Sequence, residues 1–328
     1  MAEKTLLSTI RETMWDLLAS DDRVVILGED VGARGGVFRA TEGFLDHFGE
    51  ERIIDAPLAE SSIVGHAIGM AFGGLLPLAE VQFADFLHPA FDQIVSQAAR
   101  ISYRTNGDFS CPIVIRAPYG GGIHGALYHS QSVEATYAHI PGLKVLAPST
   151  PYDAKGLLRA SVYDPDPVLF LEHKKCYRMI RGEVPDGDYE LPIGTADVKR
   201  HGDDLTVIAY GLMMHNSLQA AERLSRTEGV EAEVVDLLTI SPLDWETILD
   251  SVRKTSKAMV VHEDNRTFGV GAEVSAGIAE QLFFELDAPV VRIGAPDIPA
   301  VPFSPPLEEF FMPSVEEIYS AMEALARA

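Results

Sequence analysis

Short apolar runs of strand length alternate with stretches of helical periodicity along this chain, and this alternation constrains the fold more than any other feature. Parallel strands that are joined by helices are buried on both faces, so they are apolar at nearly every position. In the first half the apolar runs are residues 24–27, 78–81, 113–115, 144–147 and 168–171. The helical stretches are near residues 5–19, 60–73, 86–102 and 151–162. The pattern predicts an α/β fold with a mainly parallel sheet flanked by helices.

A second unit of the same kind follows, because 328 residues exceed what one ordinary core holds. Its apolar runs are residues 205–209, 233–237, 258–261 and 290–293. Its helical stretches are near residues 213–226, 244–252, 270–284 and 314–326. A polar segment with one proline and two glycines, residues 182–189, separates the halves. We therefore expect two α/β domains, 1–181 and 197–328, joined by a linker at 182–196.

Charge and composition exclude several classes of protein. The formal net charge of -23 disfavours nucleic acid as a partner, because phosphate binding needs clustered Lys and Arg. No run approaches a membrane span, and the first residues lack the pattern of a secretory signal, so we expect a cytoplasmic protein without membrane contact. Cys111 and Cys176 have no metal-ligand spacing and are expected to be ordinary thiols with at least partial burial.

One carboxylate, Glu60, lies at the start of an apolar helix that is rich in small residues, in the segment PLAESSIVGHAIGMA (57–71). A glutamate in a first helical turn complements the helix dipole without any chemical role. Gly65 and Gly69 would let a neighbouring helix approach closely. A carboxylic acid in apolar surroundings also suits acid–base chemistry, because burial raises its pKa. Glu60 alone leaves both interpretations open.

A glycine-rich loop follows the run near residue 113. Its GxGxxG pattern consists of Gly120, Gly122 and Gly125. A dinucleotide-binding loop would open a helix directly and precede an acidic residue by about twenty positions. Here the helix begins only near Val133 and Glu134 comes too soon, so the pattern predicts a flexible loop that adapts to a ligand. The lone His129 in this loop is either a structural hydrogen-bonding group or an acid–base group.

Three segments together resemble one enzyme family: the segment 57–71, VQFADFLHPAFDQ (81–93) and HGALYHSQS (124–132). They are similar to beta subunits of the thiamine-diphosphate-dependent decarboxylase component of 2-oxoacid dehydrogenase complexes, most closely the branched-chain (2-oxoisovalerate) type. The likeness extends from GEDV (28–31) and GGVF (35–38) to GAPDIP (294–299), nearly the whole chain. It implies a transketolase-like pyrimidine-binding domain followed by a transketolase C-terminal-like domain.

The resemblance assigns roles to individual residues. Glu60 matches the glutamate that bonds the pyrimidine ring of thiamine diphosphate and thereby activates the coenzyme. His129 matches the histidine that faces the reacting carbon and assists proton and acyl transfer. The other matches to the coenzyme pocket are Glu29, Leu58, Gln82 and Phe86. Without the resemblance, Phe86 would be interpreted as an ordinary core residue.

The resemblance also implies a potassium site, bound through backbone carbonyl groups and one or two side chains. The matching residues are Ile113, Ser161, Val162, Asp164 and Asp166. The sequence departs from the family at Asp166, where asparagine is usual, and at Ser161, where a small apolar residue is common. These two differences affect which ion the site would bind and how fully it would be occupied.

The chain has no Gly-Asp-Gly motif of the kind that holds Mg²⁺ and diphosphate in thiamine-diphosphate enzymes. Its Gly-Asp pairs at 107–108, 187–188 and 202–203 are followed by Phe, Tyr and Asp. The pyrimidine half of a coenzyme site is thus matched and the diphosphate half is missing. The resemblance implies that an alpha subunit supplies the missing half in an α2β2 heterotetramer.

The acidic charge is uneven. Residues 100–181 carry ten Lys or Arg against six Asp or Glu, a balance of +4 that leaves -27 on the rest. The resemblance implies that the C-terminal domain docks the basic subunit-binding domain of a lipoyl acyltransferase core. Glu285 and Asp287, after Phe283 and Phe284, are the expected contact. A merely solvated acidic surface is the alternative.

The expected activity is oxidative decarboxylation of a branched 2-oxoacid, such as 3-methyl-2-oxobutanoate, with acyl transfer to lipoyl-lysine and only with an alpha subunit. Pyruvate or acetoin as substrate is the close alternative. A non-catalytic assembly subunit on the same fold is the alternative from another class. A self-contained transketolase-like enzyme is disfavoured by the chain length and by the missing diphosphate motif.

Overall fold

The computed structural model describes residues 2–328. The strands are β1 (Ala2–Thr5), β2 (Val24–Glu29), β3 (Ile53–Ala56), β4 (Leu76–Glu80), β5 (Val114–Tyr119), β6 (Lys144–Leu146), β7 (Val168–His173), β8 (Arg181–Val184), β9 (Asp197–Arg200), β10 (Leu205–Ala209), β11 (Ala232–Asp236), β12 (Thr239–Ser241), β13 (Ala258–Asn265) and β14 (Val291–Ala295). The α-helices are α1 (Leu6–Ser20), α2 (Phe44–Phe48), α3 (Glu60–Phe72), α4 (Ile101–Arg104), α5 (Glu134–Ala138), α6 (Pro151–Tyr163), α7 (Cys176–Met179), α8 (Gly211–Glu228), α9 (Trp245–Thr255), α10 (Val270–Leu282), α11 (Pro305–Phe311) and α12 (Val315–Ala326).

The contacts divide the chain into two compact units. The first runs up to Tyr119 and resumes at Thr136–Ile193, and the second consists of Gly120–Ala135 and Gly194–Ala328. The glycine-rich loop therefore groups with the second unit, although it follows a strand of the first. None of the helices in residues 2–328 is both long and apolar enough to cross a membrane.

The first unit contributes six parallel strands to one sheet, in the order β6-β7-β5-β4-β2-β3. The central strands β4, β5 and β7 are buried at every position, which is why most of their residues are apolar; the charged exceptions Glu80, Arg116 and Glu172 bond one another. All five apolar runs of the first half are strands, as predicted. The connections through α3 and α6 cross the sheet in opposite directions, and right-handed crossovers of that kind cover opposite faces.

The stretch 86–102 is not the regular helix that its apolar periodicity predicted. It folds as a 3₁₀ turn over Ala84–Ala90, a π-helical turn over Gln93–Gln97, a 3₁₀ turn over Ala98–Arg100 and then α4. Pro89 lies inside the first turn and has no N–H to donate, so an α-helical ladder is interrupted there.

Several edge elements carried no apolar run. Strands β1 and β8 form an antiparallel pair, so part of the polar segment after residue 181 is a strand of the first unit.

Both cysteines are buried free thiols, as expected, and burial raises the pKa of Cys111 to about 12.

The second unit has a five-stranded sheet in the order β14-β13-β10-β11-β9. Strands β14, β13, β10 and β11 are parallel, and β9 pairs antiparallel with β11 at the edge. The four predicted strands are all present. Helix α8 packs against α12, and α10 packs against β13. Each unit is therefore a mainly parallel α/β domain, which confirms the predicted fold class.

A buried ion cluster joins three neighbouring strands of the first unit. The Arg116 guanidinium on β5 donates two hydrogen bonds to Glu172 on β7, at 2.7 and 2.9 Å, and one to Glu80 on β4, at 2.8 Å. Tyr177 donates its hydroxyl hydrogen to Glu172 as well. Burial alone would lower the pKa of Arg116, but the charges of Glu172 and Glu80 raise it, so the guanidinium stays charged. Burial raises the pKa of Glu80, and Arg116 opposes that shift.

Replacing Arg116 with methionine leaves two buried carboxyl groups without their cation. We expect Arg116→Met to lower the free energy of unfolding by about 3–5 kcal/mol, the usual cost of breaking a buried ion pair on one side. Chemical denaturation of the full chain measures this loss. Arg178→Met, at an exposed arginine of the same unit, is the matched control and should change stability little. Equal stability of the two variants would contradict the prediction.

Candidate coenzyme-binding site

The candidate site of the first unit lies where the strand order of its sheet reverses. Strand β2 pairs with β3 on one side and with β4 on the other, so the chain crosses β2 between those two strands. In open parallel sheets, ligands bind beyond the carboxyl ends of the strands at such a switch point. Glu29 ends β2, Glu60 follows β3 and Gln82 follows β4. Three of the predicted residues therefore share one edge of the sheet.

A close approach of backbones brings β2 and β4 together at this edge. A Cβ atom on Gly28 would lie 2.7 Å from the carbonyl oxygen of Glu80, so only glycine fits there. Beyond this contact, the Gln82 amide nitrogen lies 3.4 Å from the Glu29 carbonyl oxygen and 3.4 Å from a carboxylate oxygen of Asp30. The Gln82 side chain is thus held across the ends of both strands.

Glu60 is the first residue of α3 and is half-buried. Leu58, two residues earlier, is 73% exposed. The complete apolar shielding that the sequence suggested for Glu60 is therefore not provided by this chain alone. Phe86 is partly buried and packs edge-on against Phe83, with ring centroids 5.7 Å apart.

Carboxyl groups at this edge influence one another. Burial raises the pKa of Glu29, and the negative charges of Asp30 and Glu60 raise it further. A carboxyl group with a raised pKa and nearby partners in a cleft is a frequent feature of functional sites. Two carboxyl groups and one carboxamide also match the donors and acceptors of an aminopyrimidine ring, so these residues fit the pyrimidine half of thiamine diphosphate.

His129 lies in the second unit, in the loop that precedes α5. It follows a single 3₁₀ turn, Ala126–Tyr128, and its backbone N–H lies 3.4 Å from the Ala126 carbonyl oxygen. Helix α5 begins at Glu134, close to the predicted position. The sequence predicted a flexible loop here; in the structure, buried carboxylates of β13 and α11 accept hydrogen bonds from its backbone.

A second group of carboxyl groups is buried at the end of this loop. Glu134 is fully buried and accepts a hydrogen bond of 2.7 Å from the Tyr210 hydroxyl. Burial, and then the charge of Asp264, raise the pKa of Glu134 to about 8. Burial raises the pKa of Asp264 to about 6. The surroundings of Glu134 therefore favour its neutral, protonated form.

The residues predicted for a potassium ion lie on adjacent segments of the first unit. The Val168 N–H donates to the Ile113 carbonyl at 2.9 Å, next to the turn that carries Asp164 and Asp166. The Lys144 ammonium lies 2.5 Å from one carboxylate oxygen of Asp164 and 3.2 Å from one of Asp166. This single ammonium contacts both carboxylates and balances one of their two negative charges. Ser161 uses its hydroxyl to bond the Leu157 carbonyl, at 2.7 Å, and Val162 is buried beside it.

Two family models match the chain. The transketolase pyrimidine-binding domain matches residues 3–179, and the transketolase C-terminal domain matches residues 194–318. Among solved structures, a split-gene transketolase described as an inactive beta4 tetramer has a TM-score of 0.77 at 24% sequence identity, over 98% of each chain. This likeness concerns the fold alone. Fold and switch-point site together define a transketolase-type protein with a pyrimidine-binding and a C-terminal domain.

Curated relatives narrow the family further. The 2-oxoisovalerate dehydrogenase subunit beta of Bacillus subtilis (strain 168) is 57% identical over 326 residues, covering 99% of both chains. The pyruvate dehydrogenase E1 component subunit beta of the same strain is 47% identical over 318 residues, covering 97% of both. That of Acholeplasma laidlawii is 46% identical and covers 100% of this chain and 99% of its own. The chain belongs to the family of thiamine-diphosphate-dependent 2-oxoacid dehydrogenase beta subunits, which confirms the resemblance.

The raised pKa of Glu134 predicts how stability depends on pH. The folded chain favours the protonated acid, so this stabilisation is fully present below the ordinary pKa of 4.5 and is lost as pH rises through about 8. We expect Glu134→Gln, which mimics the neutral acid, to remove this decline, worth roughly 2 kcal/mol or more by pH 8. Denaturation of the full chain from pH 5 to pH 9 measures it. Glu222→Gln, at an exposed glutamate, should follow the wild type. A Glu134→Gln curve parallel to the wild type would exclude the assignment.

Proposed function

We propose that this chain is the beta subunit of a dehydrogenase that decarboxylates branched-chain 2-oxoacids, such as 3-methyl-2-oxobutanoate, and passes the acyl group to lipoyl-lysine. The observation that carries the proposal is Glu60 at the switch point of the sheet in a chain 57% identical to a 2-oxoisovalerate dehydrogenase subunit beta. Pyruvate is the second candidate, because pyruvate dehydrogenase beta subunits are also relatives, at 47% identity or less.

Thiamine diphosphate, when bound, supplies a carbon nucleophile that adds to the 2-oxoacid and stabilises the charge left by loss of CO₂. Glu60 would share a proton with the pyrimidine ring. Gln82 and the raised-pKa carboxyl group of Glu29 would line the ring beside it. Leu58 and Phe86 would supply apolar contacts, and the exposure of Leu58 in the isolated chain leaves a surface that the ring or a partner would cover.

His129 would move a proton at the reacting centre and assist acyl transfer. An imidazole suits both steps because its ordinary pKa lies near neutrality, so it gives and takes a proton at physiological pH. Its place on an anchored loop, rather than on a free one, favours a defined position for the ring.

An alpha subunit would complete the site with Mg²⁺ and the diphosphate-binding residues in an α2β2 heterotetramer. The exposed face of α3 supports such a contact. It borders a groove of about 510 Å³ that is lined by Ser61, Ser62, Gly65, His66, Gly69, Met70 and Gln93. A Cβ atom on Gly69 would meet no other atom within 4 Å, so packing within this chain does not require a glycine there. Close approach of another chain would require it.

Two further proposals concern ligands and partners. A potassium ion would be held by carbonyl oxygens around Ile113, Ser161, Val162, Asp164 and Asp166, with Lys144 as the counter-charge to the carboxylates.

A basic subunit-binding domain of the lipoyl acyltransferase core would dock near Glu285 and Asp287. Both acidic residues are exposed, and Phe283 and Phe284 beside them are 66% and 96% exposed, which supports a binding surface there. The domain boundaries 1–181, 182–196 and 197–328 remain part of the proposal.

Replacing Glu60 with glutamine tests the chemistry. We expect Glu60→Gln to lower 2-oxoacid-dependent reduction of an artificial electron acceptor by about 10²-fold or more, because glutamine cannot exchange a proton with the ring. The assay uses the beta chain co-expressed with its alpha subunit. Glu50→Gln, at an exposed glutamate of the same unit, is the matched control.

The same assay compares 3-methyl-2-oxobutanoate with pyruvate. A strong preference for the branched acid supports the proposed substrate, and a preference for pyruvate replaces it. Full activity of Glu60→Gln on both acids would overturn the proposed site, and no turnover by the wild-type assembly would favour a non-catalytic subunit.

Replacing Gly69 with leucine tests the alpha contact. A leucine side chain there would project from the exposed face of α3 into the groove, so we expect Gly69→Leu to abolish assembly with the alpha subunit while the chain still folds. Size-exclusion chromatography of the co-expressed subunits measures the loss of heterotetramer. Gly187→Leu, at another exposed glycine with open space around it, should assemble normally. A complete heterotetramer with Gly69→Leu would refute this contact.

A further inference from the structure

We infer that Glu308 and Glu263 are positioning residues for His129: they fix the backbone of the loop that carries it. Residues 120–132, which include His129, form the histidine loop. The inference rests on the proposed role of His129. It adds two residues to the proposed function, and neither of them is proposed to touch substrate or coenzyme.

The histidine loop does not hold its own conformation through regular structure. Four of its residues have positive φ angles, and two of them, His124 (φ 57°) and Ala126 (φ 59°), are not glycine. A non-glycine residue in the left-handed region persists only where surrounding contacts determine the backbone. Within the loop, the Gly120 N–H donates to the Gln131 carbonyl at 3.1 Å, which closes its two ends.

Glu308, on α11, accepts hydrogen bonds from backbone N–H groups at the start of the loop. One carboxylate oxygen accepts the Gly122 N–H at 2.8 Å, and the two oxygens lie 3.2 and 3.3 Å from the His124 backbone nitrogen. The His124 ring nitrogen Nδ1 lies 2.6 Å from the same carboxylate. Glu308 is only 2% exposed, so these groups replace the water that its charge would otherwise bind.

Glu263, on β13, ties both ends of the loop. One of its oxygens accepts the Gly121 N–H and lies 3.3 Å from the Ser132 hydroxyl oxygen. A Cβ atom on Gly121 would lie 2.8 Å from the Met312 sulfur and 3.5 Å from oxygens of both glutamates. The loop backbone at Gly121 therefore lies against both carboxylates and the Met312 side chain.

A carboxylate suits the place of Glu308, because it accepts the N–H groups of both Gly122 and His124 and lies against the His124 ring nitrogen. A carboxylate offers two acceptor oxygens, whereas a carboxamide offers one and turns an N–H₂ group toward donors that it cannot bond. Glu308→Gln keeps the size of the side chain and removes this capacity. The loop should then lose its fixed backbone, and His129 its fixed position.

Hydrogen exchange tests the anchor without any assumption about catalysis. In the full chain, Glu308→Gln should speed amide exchange in the peptide that contains Gly122 and His124. Glu309→Gln is the matched control, because Glu309 is the next residue of α11 and is exposed. Unchanged protection in Glu308→Gln overturns the anchor.

Kinetics of the heterotetramer test the link to His129. We expect Glu308→Gln to lower kcat by about ten- to hundredfold, since a displacement of about 1 Å costs this much in a positioned site. Glu309→Gln should keep the wild-type rate. The double variant Glu308→Gln/His129→Ala should be no slower than His129→Ala alone, because Glu308 acts through the residue already removed. Independent, multiplying losses overturn the inference.

The outcomes separate the two proposals. Full activity of His129→Ala overturns the proposed role of His129 and this inference with it. An inactive His129→Ala beside a fully active Glu308→Gln overturns the inference alone. If Glu308→Gln does not fold, Glu308→Asp carries the same comparison, because the shorter side chain withdraws the carboxylate from the Gly122 and His124 N–H groups.

Discussion

The ion cluster of Arg116, Glu80 and Glu172 is the interaction on which the geometry of the first unit depends. It joins β4, β5 and β7 side by side, and a buried charge has no acceptable position away from its partners. Glu80 is the last residue of β4, and its carbonyl oxygen meets the glycine that lets β2 approach. The cluster therefore fixes the strand ends next to Glu29 and Gln82. The positions of these candidate site residues depend on the buried ion pairs of the neighbouring strands.

The sequence predicted the central strands well and the edge strands poorly, for a physical reason. A strand buried on both faces is apolar at most positions, and β4, β5, β10 and β11 all have that pattern, interrupted by a few buried polar residues such as Glu80 and Arg116. Edge strands such as β3 and β9 need cover only on part of their surface, so their sequences, IIDA and DVKR, look like loops. The helix predicted at 86–102 was wrong because apolar spacing does not reveal how Pro89 and its neighbours break the hydrogen-bond ladder.

The place of Glu29 and Gln82 at one sheet edge was predictable, because each follows an apolar run and the carboxyl ends of parallel strands meet. Glu60 follows β3, which was not among the predicted runs, so its assignment rested on the resemblance. The anchoring glutamates were missed. Glu263 follows an apolar run in the same way, so that signal was present and could have found it. The sequence contains no such signal for Glu308, because the neighbouring residue Glu309 is also a glutamate. Only long-range packing buries Glu308 and leaves Glu309 exposed.

The bonds that hold the histidine loop span a large separation along the chain. Gly121 bonds a residue 142 positions later, and Gly122 one 186 positions later. A ribosome therefore delivers the loop long before it delivers either anchor, and the strand that precedes the loop can fold while the loop is still unattached. Closing such long loops costs little more entropy than closing short ones. During translation, the hydrogen bonds that hold the histidine loop can therefore form only after Glu263 and Glu308 have been made.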